Sequence, residues 1–509
     1  MSRYLRTRRT LTCLVTLAGL LLASACTDET PTPNQSVQPA VEGPVTSLPE
    51  AATSVVAGPD AVQLAVGASA ALFFSSPVVL LAAEDDEPGL TDAVTRAADL
   101  GVPLLLTAAG ATGPGEATQA EISRLGAQQV IAVGTASAAV PPSGPAATPT
   151  GDVAPAADTP VAVRRGEALD ELLVLALDQP ASRAAVATAR AAGARVLLLP
   201  DPDPRTNGDV ITALAGQPVD RVLALGDAFG PDDLLRQRVA TAATGVLLPG
   251  GGQVLFPGRH MVALYGHPGS RVLGSLGEQP LDAAIARAKS VAASYQPLVD
   301  EPVVPAFEII ATVASAGAGA DGDYSRESSV DFLKPWVDAA GAAGVYVVLD
   351  LQPGHTDFLT QAKRYEELLS QPHVGLALDP EWRLAPGQVH MRQIGSVTAA
   401  EVNATAAWLA ELTRTHKLPQ KLLMLHQFRL DMITNRASLD TSHDELRIVI
   451  HADGFGSAGQ KHNTWRTLHT NQPPNVWWGW KNFYDEDQPT FTPGETVAVK
   501  PTPVFISYQ

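Results

Sequence analysis

The sequence predicts an α/β protein built from tandem Rossmann-like parallel-sheet units followed by a (β/α)8 barrel of the TIM type. Three observations predict it. The first half repeats itself at an offset of 92 residues, each copy alternating short apolar runs with Ala-rich stretches of helical period. The second half is a series of eight apolar runs that end in polar residues and are mostly followed by amphipathic stretches. All eleven histidines and all seven tryptophans lie at or beyond His260. The chemistry is therefore expected in the second half. The first half, written mostly in Ala, Val, Leu, Gly and Pro, reads as a scaffold or binding module.

At the N-terminus, Arg3, Arg6, Arg8 and Arg9 precede an apolar stretch of signal-peptide length, too short to span a bilayer permanently. The stretch runs into Leu22-Ala23-Ser24-Ala25-Cys26, which resembles the lipobox of bacterial lipoproteins. That resemblance implies a signal over residues 1–25, acylation of Cys26, and attachment to the extracellular face of the cell membrane. Arg8-Arg9-Thr10-Leu11 loosely resembles a twin-arginine signal, so two export routes stay open. Cys13 would leave with the signal, and an acylated Cys26 leaves no thiol for a disulfide, a cysteine zinc site or a cysteine nucleophile. Residues 26–55, rich in Pro, Thr, Ser and Gln, are expected to be a disordered tether. Loss of the four arginines leaves 31 basic against 53 acidic residues, a net charge of −22, which disfavours nucleic acid as a partner.

The two repeat units are expected over 56–137 and 161–254, separated by a Pro/Ala/Thr-rich linker at 138–160. Leu80-Leu81-Ala82 corresponds to Leu172-Leu173-Val174, the run from Gly101 to Leu106 to that from Gly193 to Leu198, and Gln129 to Gly134 to Arg221 to Gly226. Leu90 to Leu100 and Ser182 to Ala192 are the expected helices. Ser76-Pro77-Val78-Val79-Leu80-Leu81-Ala82, the stretch from Leu100 to Thr107 and that from Leu125 to Gly134 resemble the cell wall-binding repeat 2 family. The second copy keeps the hydrophobic skeleton without most of the signature. The resemblance implies cell-wall polysaccharide or peptidoglycan as partner. Gly250 to Gly252 follow an apolar run but lack the G-x-G-x-x-G spacing of a dinucleotide site.

The barrel is expected over 255–509, about the 250 residues usual for that fold. Its strands are read at Met261 to Tyr265, Val304 to Ala311, Val345 to Leu351, Val374 to Leu378, Lys421 to Leu425, Leu446 to Ile450, Asn475 to Trp480 and Val504 to Tyr508. Outer helices are expected at Ser328 to Ala343, Asp357 to Leu369 and Ala399 to Thr415. The last two units are irregular, which leaves a distorted or incomplete ring open.

The C-terminal ends of barrel strands are where such folds place their chemistry. Here they carry His267, Glu308, Asp350, Asp379, Glu381, His426, His451, Asp453, Lys481, Asp485, Tyr508 and Gln509 in ring order. Asp379 and Glu381 share a face of the fourth strand, so the charge of one raises the pKa of the other and readies it as an acid. Asp379-Pro380-Glu381 resembles the strand-four motif of retaining glycoside hydrolases of the chitinase and bacterial-muramidase barrel types. The resemblance implies Glu381 as general acid and Asp379 as its assistant on an N-acetylated glycan. Glu308, Asp350 or Asp453 could complete the catalytic pair. Trp382, Trp478 and Trp480 are expected to stack on sugar, with His426, Lys481 and Asp485 binding its polar groups.

A second chemistry stays open: His267, His426, His451 and Asp453 loosely resemble the ligands of barrel metallohydrolases, where zinc activates water. The glycosidase reading needs no cofactor. A third reading is a non-catalytic glycan-binding lipoprotein.

Overall fold

In the computed structural model, which describes residues 43–111, 113–138, 163–216 and 219–509, the repeat appears as two parallel sheets of the same strand order. In the first, Val78–Ala83 lies between Leu104–Thr107 and Gln129–Val133; in the second, Leu172–Leu177 lies between Arg195–Leu199 and Arg221–Leu225. Each central strand is buried on both faces, which is why both read as unbroken apolar runs. The helices between strands follow local signals. Asp86 caps Glu87–Leu100 by accepting from Gly89 N, and Gly101 ends it at a φ of 70°, a conformation that favours glycine. Ala93 and Ala97 of this helix share a core with Ala184 and Ala187 of Arg183–Ala191, so small side chains let the two copies pack closely.

Cys26 with its signal, and the expected linker beyond residue 138, lie outside the described residues. The tether expected to reach residue 55 ends earlier. Val45–Thr46 pairs with Phe73–Ser75, and Thr53–Val56 pairs in parallel with Arg221–Leu225 at the edge of the second sheet. Val55 packs on that unit's core and its N–H donates to Asp232, so the edge captures a segment that composition alone assigns to a linker.

Eight parallel strands follow: β1 (His260–Gly266), β2 (Val303–Ala314), β3 (Tyr346–Leu351), β4 (Val374–Leu378), β5 (Lys421–Gln427), β6 (Leu446–Ala452), β7 (Trp477–Asn482) and β8 (Phe505–Tyr508). β1 pairs with both β2 and β8, so the barrel is closed. The expected outer helices form at Val330–Ala342, Phe358–Arg364 with Glu366–Leu369, and Ala399–Thr415. The connection after β5 has no α-helix and turns through Leu430–Met432 and Arg436–Ser438. After β7 a short helix, Pro493–Ala498, is nucleated by a capping box between Thr492 and Glu495.

Alternation along each strand divides the barrel interior into layers. The lower layers are apolar, with Met261, Ala306, Val348, Met424, Val449 and Phe505 in one core that Leu255 and Phe256 join. Below this plug the second repeat unit docks on the barrel. Arg205, 3% exposed, pairs with Asp203 at 2.7 Å and with Asp444 of the β5–β6 connection at 2.8 Å, while Arg238 reaches Asp444 at 2.7 Å.

Candidate active site at the barrel mouth

One step above the apolar plug, every strand contributes a polar inward residue near its C-terminal end: Tyr265, Glu308, Asp350, Asp379, His426, His451, Lys481 and Ser507. All are buried, and Asp453 and the half-buried Glu381 stand just beyond them in the chain. The layer exists because the strand ends break the apolar alternation at the same height, so eight side chains meet where no lipid-like core can satisfy them.

His426 is the hub. Its Nδ1 lies 3.0 Å from Asp453 Oδ2, its Nε2 lies 2.7 Å from Glu308 Oε1, and Asp350 Oδ1 is 3.9 Å from the same Nε2. The contact with Glu308 lacks hydrogen-bond alignment, so it acts as a charge pair, whereas that with Asp453 is hydrogen-bonded. Burial opposes the charge on His426, but Glu308, the bond to Asp453 and the charge of Asp350 outweigh it and hold the imidazole well above its usual range. It is therefore an imidazolium at neutral pH. Burial likewise opposes ionisation of Asp453, yet the hydrogen bond and charge of His426, with Lys481 behind them, hold that carboxyl below its usual range.

The other carboxyls move the opposite way. Burial, then the charge of Glu381, keeps Asp379 well above the carboxylate range. Burial, then the charge of Asp453, pushes Glu381 up to about 7. Asp350 is pushed up to about 6 by burial against the pull of His426, and its Oδ2 accepts from Tyr265 at 3.1 Å. Burial, with Asp350 and Asp379 nearby, keeps the Tyr265 phenol protonated as that donor. Gln352 donates to the same phenol oxygen at 3.2 Å. Lys481 Nζ sits 3.5 Å above the Tyr265 ring.

His451 differs from His426. Burial and the neighbouring imidazolium hold it well below the usual range, and its Nε2 contacts Ser507 Oγ at 2.8 Å. A Cβ at Gly479, its partner in β7, would collide with His451 Nδ1, so glycine there makes room for the ring.

Several expected residues stand elsewhere. Trp478 and Trp480 do not line the mouth. They alternate outward from β7 with Asn482 and pack against Trp465 of Ala458–Leu468, while Trp477, Gly479 and Lys481 face inward. Trp382 is half-buried beside His390, 5.3 Å away. Asp485 is exposed on the loop after β7; the carboxyl held inside that loop is Asp487, paired with Lys461 at 2.8 Å. His267 stays out of the cluster, because Gly269 N donates to its Nδ1 and Ser328 Oγ binds its Nε2 at 3.0 Å. On β8 it is Ser507 that points inward, while the Tyr508 hydroxyl bonds Tyr295 at 2.6 Å outside the barrel.

Sequence reading missed Tyr265, Ser507, Gly479 and Phe455. Strict alternation back from the apolar interior positions identifies the first two. Phe455, 63% exposed, and Tyr484, 41% exposed, follow β6 and β7 and are aromatic surfaces at the mouth end. A cavity of about 420 Å³ beside Phe256, Trp477 and Arg447 lies at the opposite end of the barrel and touches none of the acid cluster.

Two triads bring donor atoms within 4.8 Å of one another: Glu308 with His426 and His451, and Asp379 with His426 and Asp453. Two ligands of one zinc ion, each at about 2.1 Å, stand roughly 3.4 Å apart in tetrahedral geometry. The 2.7 Å between His426 Nε2 and Glu308 Oε1 is a charge-pair distance, so the first triad would have to open to hold an ion. No protein-family model and no curated protein matches the chain. Among the described residues no helix is long and apolar enough to cross a membrane.

Proposed function

We propose that the protein is an exported, lipid-anchored cell-envelope protein whose barrel hydrolyses an amino-sugar glycan of the cell wall by acid–base catalysis. One observation carries the reading: neighbouring carboxyls at the mouth are driven apart in acidity, Glu381 up to about 7 and Asp453 downward under the hydrogen bond from His426. Glu381 feels the charge of Asp453. Such a pair divides the labour of glycoside hydrolysis.

Glu381, protonated and half-buried at the rim, donates its proton to the glycosidic oxygen as the bond to the anomeric carbon breaks. Asp453, ionised and aimed from β6, stabilises the oxocarbenium charge as nucleophile or activates water as base. Asp379, kept neutral, serves as a hydrogen-bond donor to substrate instead of the anionic assistant that the strand-four motif implies. His426 orients Asp453 and fixes its charge. Phe455, Tyr484 and Trp382 offer faces for the apolar side of a sugar ring. The lipobox at Cys26 and the resemblance of the repeats to wall-binding units support the location and the class of polymer.

The test is turnover of peptidoglycan and of chitooligosaccharides, acetylated and deacetylated, by the full chain, with Glu381→Gln and Asp453→Asn beside it. Cleavage lost in both variants and unaffected by chelator supports the reading. Cleavage abolished by chelator supports a metal-dependent hydrolase, the second reading, for which Asp379, His426 and Asp453 bring donor atoms within 4.8 Å of one another. Binding without turnover on all substrates leaves a glycan-binding lipoprotein.

A further inference from the structure

The mouth holds more acceptors than it can satisfy. Glu308 Oε2, Asp350 Oδ1, Asp379 Oδ1 and Asp453 Oδ1 are buried with no hydrogen-bond donor among the described residues. They sit on side chains that are at most 7% exposed. Five carboxyls, Glu308, Asp350, Asp379, Glu381 and Asp453, stand at this mouth beside a single lysine, Lys481, and two histidines, His426 and His451. Lys481 lies over the Tyr265 ring, and among the described residues its ammonium makes no hydrogen bond to these oxygens. A buried carboxylate oxygen without a donor is costly, and those on Glu308, Asp350 and Asp453, the three carboxyls set around His426, call for a ligand that brings donors and positive charge together.

A neutral hydroxyl supplies one proton and two more lone pairs, which adds acceptors to a site already rich in them. An acetamido group supplies one N–H, another carbonyl acceptor and a methyl group. The eight inward residues of the layer include no Ala, Val, Leu, Ile or Met against which that methyl could pack. A primary ammonium supplies three donors, no acceptor and a full positive charge.

We propose that the inner subsite of the mouth binds the free ammonium of a 2-amino sugar, so that the glycan is one whose amino groups lack their acetyl caps, in place of the N-acetylated glycan that the strand-four motif implies. The inference rests on the glycan-directed reading and sharpens it. It also assigns Glu308 and Asp350 to specificity, as the carboxyls that receive the ammonium beneath the bond being cleaved.

Calorimetry tests this with the full chain carrying Glu381→Gln, which keeps the probe intact, in about 150 mM salt, where long-range attraction is screened. The probes are glucosamine tetramer, its fully N-acetylated counterpart, tetralysine, and zinc or magnesium chloride alone. The expected result is binding of the deacetylated tetramer at least tenfold tighter than the acetylated one. Adding Glu308→Gln or Asp350→Asn should erase the preference, with thermal unfolding showing that each variant folds. Equal or tighter binding of the acetylated tetramer overturns the ammonium subsite and leaves the glycan reading standing. Tetralysine binding as tightly as the amino sugar reduces the effect to bulk charge and overturns it, as does heat from metal alone. Failure of both sugars to bind overturns the subsite together with the glycan reading.

Discussion

Asp453 and His426 hold each other's charge inside the barrel: the carboxylate stays ionised and the imidazole stays protonated because Oδ2 and Nδ1 are 3.0 Å apart with no water-like dielectric between them. The pair is a positioning device for everything around it. His426 also pairs with Glu308, and the charge of Asp453 pushes Glu381 up, so this one bond bears on the acid at the rim.

Asp453→Asn keeps the shape and removes the charge. The His426 titration midpoint should fall, read from its imidazole proton shifts by NMR, because one of the groups holding it protonated is gone. Turnover should drop by roughly 100- to 10,000-fold, the scale of a lost acid–base group. An unchanged midpoint in a folded variant would mean that Glu308 and Asp350 hold the imidazolium without Asp453.

Gly479→Ala places a Cβ against His451 Nδ1. The ring cannot retreat without leaving Ser507, to which its Nε2 is bonded at 2.8 Å. The variant is expected to lose about 1–3 kcal/mol of stability, the usual cost of overpacking, and to lose activity disproportionately because the polar layer shifts. Denaturant unfolding beside turnover separates the two effects. Wild-type turnover in the variant would place His451 outside the chemistry.

At the junction, Asp444 takes both Arg205 and Arg238, with Asp203 completing the cluster. Asp444→Ala leaves the buried Arg205 and the half-buried Arg238 to share Asp203 alone and should cost about 1.5–3 kcal/mol. The loss is expected as earlier unfolding and faster proteolysis between the repeats and the barrel, while the polar layer at the other end stays intact. Cleavage confined to other loops would argue that the junction is held by its apolar contacts.

The division into repeats and barrel is legible in the sequence because strands buried on both faces have no alternative reading, and the offset of 92 residues exposes the duplication. Asp350, Asp379, Glu381, His426 and Asp453 are equally legible, as charges that interrupt apolar runs. Register parity is what the local pattern hides. Trp478-Gly479-Trp480 attracts attention as aromatic, yet those two indoles face the helix layer and the inconspicuous Gly479 faces the site. The same parity exchanges Tyr508 for Ser507. Thr53 to Val55 reads as tether because its pairing partner lies some 170 residues away, and no local signal carries that information.

Phe455→Ala and Tyr484→Ala probe the rim without touching the acids. Each should weaken oligosaccharide binding by roughly tenfold, about 1.4 kcal/mol, and raise KM more than it lowers kcat. Stability should change little for the more exposed Phe455. An effect on kcat alone would assign these rings to closure over the substrate.

The acid cluster sets the pH behaviour of both stability and turnover. Glu381 rises from an ordinary 4.5 to about 7, and Asp350 from 3.8 to about 6, so the folded state binds protons that the unfolded chain releases. Protonation of both is complete below pH 4, where their contribution is most favourable. It is lost as pH rises through 6 and 7, and the ionised groups then cost the fold roughly 3 kcal/mol each. Glu381→Gln and Asp350→Asn should therefore be more stable than the parent at pH 8, with the advantage vanishing near pH 4. Turnover needs Glu381 protonated, so it should decline about tenfold per unit above pH 7. Its acid limb should fall below the ordinary carboxylate range, where Asp453 takes up a proton. Urea unfolding at several pH values and a pH–rate profile check the two dependences. A parent more stable than Glu381→Gln at pH 8 would show that the carboxylate is satisfied in the folded state and is not a poised acid.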